Sequence, residues 1–411
     1  LVLVSGALRA VIYGLKEKDM PIAERMIRRV QEFAVIKNMF EEGRQLKAKH
    51  GEQNVYDFSL GNPDVPPPAA FRRALREMAQ SDTLSFGYAP VAGHRQILEA
   101  LARRLRDEHG VDIRPDLIVM TVGASGALND IFRALVNPGE EILVPAPYFL
   151  GYTNYAFLVD AVLKPVPTGP RFHLDPDAIA SAITSRTRLV LVNSPNNPTG
   201  AVYAEAEINA LGQILEKASR RFGNRIYLVS DEPYRKITFG AAVPSVFAAY
   251  PHTIIANSFS KELSLAGERI GYFAVHPDAE DARQVVAAAA VVNSMHVVNA
   301  PSLLQQVVAR VLGESVDAAA YQRRRDLICS VLDNAGYEFI RPEGAFYLFP
   351  KSPIADDVRF TDILKTERIL VSPGRAFGTP GYFRISYAVP EAIITASKEG
   401  FQRALRKSQE S

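Results

Sequence analysis

Residues 258–272 read SFSKELSLAGERIGY, which sets Lys261 behind Ser258 and Ser260 and places Arg269 eight positions further on. A lysine amine attacks carbonyl groups once deprotonated, and burial near other cations lowers its pKa. A lone lysine is more often a solvated surface charge, so its neighbours decide the reading. TVGASGALND, residues 121–130, runs a short apolar strand through Gly123-Ala124-Ser125-Gly126 into a helical pattern. Small residues let backbone amides approach an anion, and a helix N-terminus favours negative charge. SPNNPTG, residues 194–200, adds the Asn197 amide, and SDEPY, residues 230–234, adds the Asp231 carboxylate and the Tyr234 phenol. Each motif alone has a plain alternative: a tight turn for the first, a turn former for Asn197, a helix cap for Asp231. Jointly they give a nucleophilic lysine, an anion cradle, a carboxylate and hydrogen-bonding partners, the set that a pyridoxal phosphate site requires.

The elements that must position these groups follow from the apolar pattern. From about 115 to 275, short apolar runs (DLIVMT, EILVPA, AVLKPV, RLVLVN, RIYLVSD, TIIANS, GYFAV) alternate with helical segments. That alternation predicts crossover units on a mostly parallel sheet, an α/β domain whose strand-end loops carry the site. Residues 20–50 carry apolar positions at helical spacing (Ile22, Met26, Val30, Phe33, Ile36, Met39, Phe40), which predicts one or two amphipathic helices before the GNPDVPPP loop. After about 278 an Ala/Val-rich helix, a second helix near 320–335 and short strands near 338–349 and 382–388 predict an α+β appendage.

Composition narrows the function classes. The 411 residues suffice for two domains, and a formal charge of +2 with scattered arginines argues against a nucleic-acid partner. One cysteine, Cys329, excludes an intrachain disulfide, and its place in RRRDLICSVLDNAG suits a buried thiol. The seven histidines lack metal-site spacing, so no metal is expected. Residues 1–19 are too short in apolar run for a membrane span and lack the basic start of a signal peptide; they read as an upstream extension with Met20 as the natural start, in a cytoplasmic protein.

The motifs NPTG, DEPY, SxSKxxxxxGxRxGY and PEGAFYLF, in this chain order within a resemblance that runs from about residue 22 onward, resemble those of class I/II aminotransferases of the aspartate aminotransferase superfamily, fold type I. The resemblance implies a mostly parallel seven-stranded sheet sandwiched by helices, with a smaller α+β domain formed by the N- and C-terminal parts. It implies divisions at 1–62 (extension, helical arm and part of the small domain), 63–300 (large cofactor-binding domain) and 301–411 (C-terminal small domain). It further implies pyridoxal 5'-phosphate, ping-pong transfer of an amino group between an L-amino acid and a 2-oxo acid with glutamate and 2-oxoglutarate as one pair, and a homodimer with shared active sites. β-Lyases and decarboxylases share the fold and are the alternative; a ligand-sensing transcription regulator would need a DNA-binding module that the residues before GNPD are too few to hold.

Position by position, Lys261 resembles the Schiff-base lysine and Asp231 the acid paired with the pyridine nitrogen, while Asn197 and Tyr234 resemble the groups on the ring hydroxyl oxygen. Phe149, in PAPYFLGY, matches the aromatic that stacks on the ring, with Tyr148 beside it. The phosphate falls to the amides of Ala124 and Ser125, to Ser258 and Arg269, and to Tyr88 from the other subunit. Arg384 in YFRISYA resembles the arginine that grips the substrate α-carboxylate through a planar fork, and Gly61 in SLGNPD the glycine that closes over it. The lysine that binds a distal carboxylate in one aspartate-specific branch is replaced by Ser125 or Gly126, which leaves dicarboxylate preference open. Arg375, in PGRAFG, is expected either at a distal substrate carboxylate or on a surface acid, and His296 reads as a packing histidine near the segment that borders the partner's site.

Overall fold

The computed structural model describes residues 22–82 and 86–410, without the side chains of residue 28 and residues 31–40. The extension expected at residues 1–19, with its start at Met20, lies outside the described residues, as do the side chains of Phe33, Ile36, Met39 and Phe40. The chain forms two compact units, the first ending at Asp57 and the second running from Phe58. In the first, one helix spans Glu24–His50, within the predicted interval. It stops at Gly51, whose φ of 84° is costly for residues with a Cβ, and the Gly51 N–H bonds the Lys47 carbonyl. Lys47 pairs with Asp57 at 2.5 Å within the same unit.

The second unit is built on a seven-stranded sheet: β1 (Ile118–Thr121), β2 (Glu141–Ala146), β3 (Val162–Pro167), β4 (Thr187–Asn193), β5 (Tyr227–Asp231), β6 (Thr253–Ser258) and β7 (Gly271–Val275). Their order is β1-β7-β6-β5-β4-β2-β3. All neighbours run parallel except β7, which is antiparallel to both β1 and β6. Parallel strands need a crossover of a dozen or more residues. Helices Gly123–Leu135 and Glu205–Phe222 are parts of such crossovers, whereas β6 returns to β7 through only a short helix, Phe259–Glu262, and a turn at Ala266–Glu268. That return is the segment that carries Lys261.

Strands β1, β5, β6 and β7 are buried along their whole length, because helices cover both sheet faces. Their continuous apolar sequences reflect that two-sided burial. Edge strand β3 is mostly exposed or half-buried and alternates less apolar residues.

The C-terminal part adds a small antiparallel sheet of β8 (Tyr347–Leu348), β9 (Ser372–Pro373) and β10 (Phe383–Ser386), with β10 in the middle. Strands were expected near 338–349 and 382–388, and β8 and β10 fall there. Strand β9 is two residues long and ends in proline, too little for apolar alternation to reveal. Helices Ala282–His296 and Ala318–Ala335 match the expected ones. Cys329 on the latter is buried, and burial pushes its thiol up to about 12, so it is an inert packing group.

Candidate active site

Sheet register explains why residues far apart in sequence meet. Asn193, the last residue of β4, pairs with Asp231, the last of β5, and Asp231 pairs with Ala256 of β6. Ser258 ends β6 opposite Gly271 of β7. Asn193, Asp231 and Ser258 stand at the carboxyl ends of parallel strands, where an α/β sheet presents its loops. The Asn193 side chain locks the corner: its Nδ2 donates to the Asp231 carbonyl at 2.8 Å, and its Oδ1 accepts from the Asn197 backbone N–H at 2.7 Å.

Asp231 is 5% exposed. The Tyr152 hydroxyl donates to its Oδ2 at 2.7 Å, while Oδ1 is buried without a hydrogen-bond partner among the described residues. Burial pushes the carboxyl up to about 7; the Tyr152 bond opposes that shift and neighbouring Glu232 adds to it.

Lys261 lies on the short helix after β6, and its Nζ donates to the Gly61 carbonyl at 2.7 Å. That acceptor is neutral. Burial, then Arg384 and Arg269, therefore pull the amine down to about 8, the condition under which a lysine becomes a nucleophile. The Nζ lies 5.9 Å from the Tyr234 ring centroid and 5.4 Å from that of Phe346.

The small-residue turn after β1 opens helix Gly123–Leu135, whose first amides, including those of Ala124 and Ser125, lack intrahelical acceptors. Gly123 has φ 80°, and a Cβ on it would come 2.6 Å from Arg269 Nη2, so glycine is required for the arginine to lie against this turn. Arg269 is steadied by the Ala266 carbonyl at 2.8 Å and the Val122 carbonyl at 3.3 Å. Ser125 Oγ accepts from Tyr155 at 2.8 Å. Phe149 sits edge-on to Tyr152 with centroids 5.5 Å apart.

On the other side of Lys261, Arg384 projects from β10. Its Nη1 donates to Asn197 Oδ1 at 3.1 Å and its Nη2 to the Ser59 carbonyl at 2.7 Å, leaving Nε buried without a partner among the described residues. The guanidinium lies 4.8 Å from the Tyr347 ring centroid and 4.6 Å from that of Phe377. The Tyr234 and Tyr347 hydroxyls share a hydrogen bond of 2.8 Å.

Lys261, Asp231, Asn197, Tyr234, Arg269, Arg384 and Gly61 are thus brought together, with Ala124, Ser125, Ser258 and Phe149 on the same strand-end loops. Two residues are not. Tyr88 is 89% exposed. Arg375 is committed to acids: its backbone N–H and Nε both donate to Asp357, at 2.8 and 2.9 Å, and its Nη2 to Asp356 at 3.0 Å. Its partners are thus one exposed carboxylate, Asp356, and one buried carboxylate, Asp357, at the start of helix Asp357–Thr366. His296 is exposed at the end of helix Ala282–His296, its Nδ1 2.7 Å from the Val292 carbonyl and its Nε2 3.6 Å from buried Asp130.

Sequence reading missed Tyr152, Tyr155 and Tyr347. The first two could have been found from spacing: Tyr152 and Tyr155 stand three residues apart on helix Gly151–Phe157, and Phe149 precedes Tyr152 by the same interval. Missed too was a buried ionic layer adjacent in sequence to the reactive groups. Arg104 holds Glu262, next to Lys261, at 2.5 and 2.8 Å, and Arg235 lies 3.3 Å from Glu232, next to Asp231.

The family described as aminotransferase class I and II matches residues 53–396. The chain is 34% identical to the aspartate/prephenate aminotransferase of Thermus thermophilus, over 93% of this chain and 99% of that protein. It is 28% identical to the aspartate aminotransferase of Bacillus subtilis, over 89% and 94% respectively. Among solved structures, an aminotransferase from Eubacterium rectale superposes with a TM-score of 0.88 at 35% identity, covering 99% of each chain. The aspartate aminotransferase of Thermus thermophilus with maleate gives 0.81 at 31% identity, covering 92% of this chain and 99% of that one. The chain belongs to the class I and II aminotransferase family. It is an enzyme that moves an amino group between an amino acid and a 2-oxo acid with pyridoxal 5'-phosphate.

Proposed function

We propose that Lys261 carries the cofactor and the proton of this reaction, and that glutamate and 2-oxoglutarate form one substrate pair. The observation that supports the reading best is the set of unspent polar atoms around Lys261. Asp231 Oδ1 and Arg384 Nε are both buried without partners among the described residues, on groups suited to a ring N–H and to a carboxylate respectively. Buried polar atoms are rarely left unpaired unless a ligand completes them. The residues therefore fit the cofactor.

Asp231 would hold the protonated ring nitrogen, and Asn197 and Tyr234 the ring oxygen, with Phe149 against the ring face. The amides of Ala124 and Ser125, with Ser258 and Arg269, would hold the phosphate. When bound, the cofactor supplies a carbonyl for the substrate amine and a conjugated ring that accepts electron density released at Cα. Arg384 grips the substrate α-carboxylate as a fork, and the Gly61 loop closes over it. Lys261 Nζ, held near pKa 8 by burial and by Arg384 and Arg269, would take the proton from the substrate Cα and give it back to the carbon on the far side of the amino nitrogen.

The names of the relatives, aspartate and aspartate/prephenate aminotransferases, support a dicarboxylic amino acid on one side. The reading extends to a homodimer in which Tyr88 serves the neighbouring site; its exposure supports this, and a fully active monomer in sedimentation would refute it. It also extends to a large domain at 63–300 with a small one drawn from 1–62 and 301–411, which first proteolytic cuts inside 63–300 would contradict. A cytoplasmic location is part of the same reading, testable by cell fractionation; among the described residues no helix is long and apolar enough to cross a membrane.

The substrate assignment is tested by mixing the loaded enzyme with single donors and following the cofactor spectrum through one half-reaction. Glutamate is expected to convert it, and 2-oxoglutarate to reverse the change. No conversion by glutamate at any concentration would overturn the assignment. Arg375→Ala is expected to slow glutamate and alanine alike, because its guanidinium is spent on Asp356 and Asp357; a loss confined to glutamate would return Arg375 to the substrate.

A further inference from the structure

Tyr347 is fixed from several directions. Strand β8 pairs it with Ser386 of β10, two residues beyond Arg384, so backbone hydrogen bonding sets its place relative to the arginine. Its ring packs edge-on to Tyr234 with centroids 5.6 Å apart, and against Phe346 at 4.9 Å. Its hydroxyl meets the Tyr234 hydroxyl at 2.8 Å. On the other side it closes on Gly61, where even a Cβ would stand 2.0 Å from the Tyr347 oxygen. A hydroxyl held this tightly cannot turn away to another partner.

A phenol has one proton to give and lone pairs to accept with. If Tyr234 spends its proton on the cofactor ring oxygen, the bond between the two phenols must be made with the proton of Tyr347. We propose that Tyr347 is a positioning residue of this site, donating to the Tyr234 oxygen so that Tyr234 is oriented toward the ring oxygen and strengthened as a donor to it. This rests on the assignment of Tyr234 to the ring oxygen.

Arg384 favours that polarity, and cooperativity gives it its effect. Arg384 lies 4.8 Å from the Tyr347 ring centroid, and a cation over a phenol draws electron density from its O–H. Hydrogen bonds in a chain polarise one another, so donation into Tyr234 makes its own proton a better donor. The charged groups facing the pair are Arg384 against both phenols, and Asp231 and Lys261 against Tyr234. All three remain when the Tyr347 hydroxyl alone is removed.

The test is the pH midpoint at which the yellow chromophore of the substrate-free holoenzyme loses its proton, compared among wild type, Tyr347→Phe, Tyr234→Phe and the double variant. A stronger donor on the ring oxygen stabilises its anion and lowers that midpoint. Tyr347→Phe keeps the ring and its packing, and is expected to raise the midpoint by about 0.5 pH unit. Tyr234→Phe is expected to raise it further, and adding Tyr347→Phe to that background to change nothing more. A shift in Tyr234→Phe with none in Tyr347→Phe would overturn the proposal and leave Tyr347 a packing residue. An unmoved midpoint in Tyr234→Phe would overturn the assignment of Tyr234 itself, and the relay with it.

Discussion

Asp231 is a destabilising residue in the cofactor-free protein. Its carboxyl is buried, one oxygen is unpaired, and burial lifts it from 3.8 to about 7. A folded-state pKa raised above the unfolded value means that the folded state holds its proton more tightly. The stability this group contributes is present below about pH 4 and is lost as pH rises through about 7. Asp231→Asn, which keeps an acceptor for Tyr152 without the charge, is therefore expected to stabilise the cofactor-free protein by about 1–3 kcal/mol near pH 8, an advantage that shrinks toward about pH 5. Thermal unfolding at the two pH values checks this; an advantage that does not change with pH would contradict the buried charge. On the proposed assignment of Asp231 to the ring nitrogen, the same substitution would remove the anion that the loaded enzyme needs, which sets stability against function at one side chain.

At the level of elements, the loop around Gly61 is where geometry leaves least room. The Gly61 carbonyl accepts from Lys261, and its Cα faces the Tyr347 hydroxyl so closely that a methyl group would have to displace it. Gly61→Ala is expected to lower kcat/KM for every donor by about tenfold or more, with circular dichroism unchanged, since small misplacements at reacting groups are costly. Unchanged kinetics would mean that the loop does not close on the site as described. The same loop marks the limits of reading the sequence. The seven strands were legible because each is a compact apolar run between turn residues, and Lys261, Asp231, Asn197 and Arg384 were legible because each sits in a distinctive motif. Tyr347 lay inside one of those motifs, PEGAFYLF, yet its contact with Tyr234 accompanies backbone bonds between residues 237–239 and 343–345, a long-range pairing that no local pattern encodes. Arg375 shows the converse: its sequence context left a substrate carboxylate and a surface acid equally open, because Asp356 and Asp357, which claim it, belong to a helix start that composition does not set apart.

For the whole molecule, the antiparallel placement of β7 carries the chemistry. A sheet of parallel crossovers lines up Asn193, Asp231 and Ser258 at one edge, and the tight return from β6 to β7 sets Lys261 and Arg269 there too. The small C-terminal sheet carries Arg384 and Tyr347, and Arg384 is near enough to Lys261 to help depress its amine. Reducing the purified holoenzyme with borohydride should fix the cofactor covalently to a single lysine, and peptide mapping is expected to find it at Lys261 and to find no label in Lys261→Ala. A label on another lysine, or one that survives Lys261→Ala undiminished, would contradict the assignment of the site.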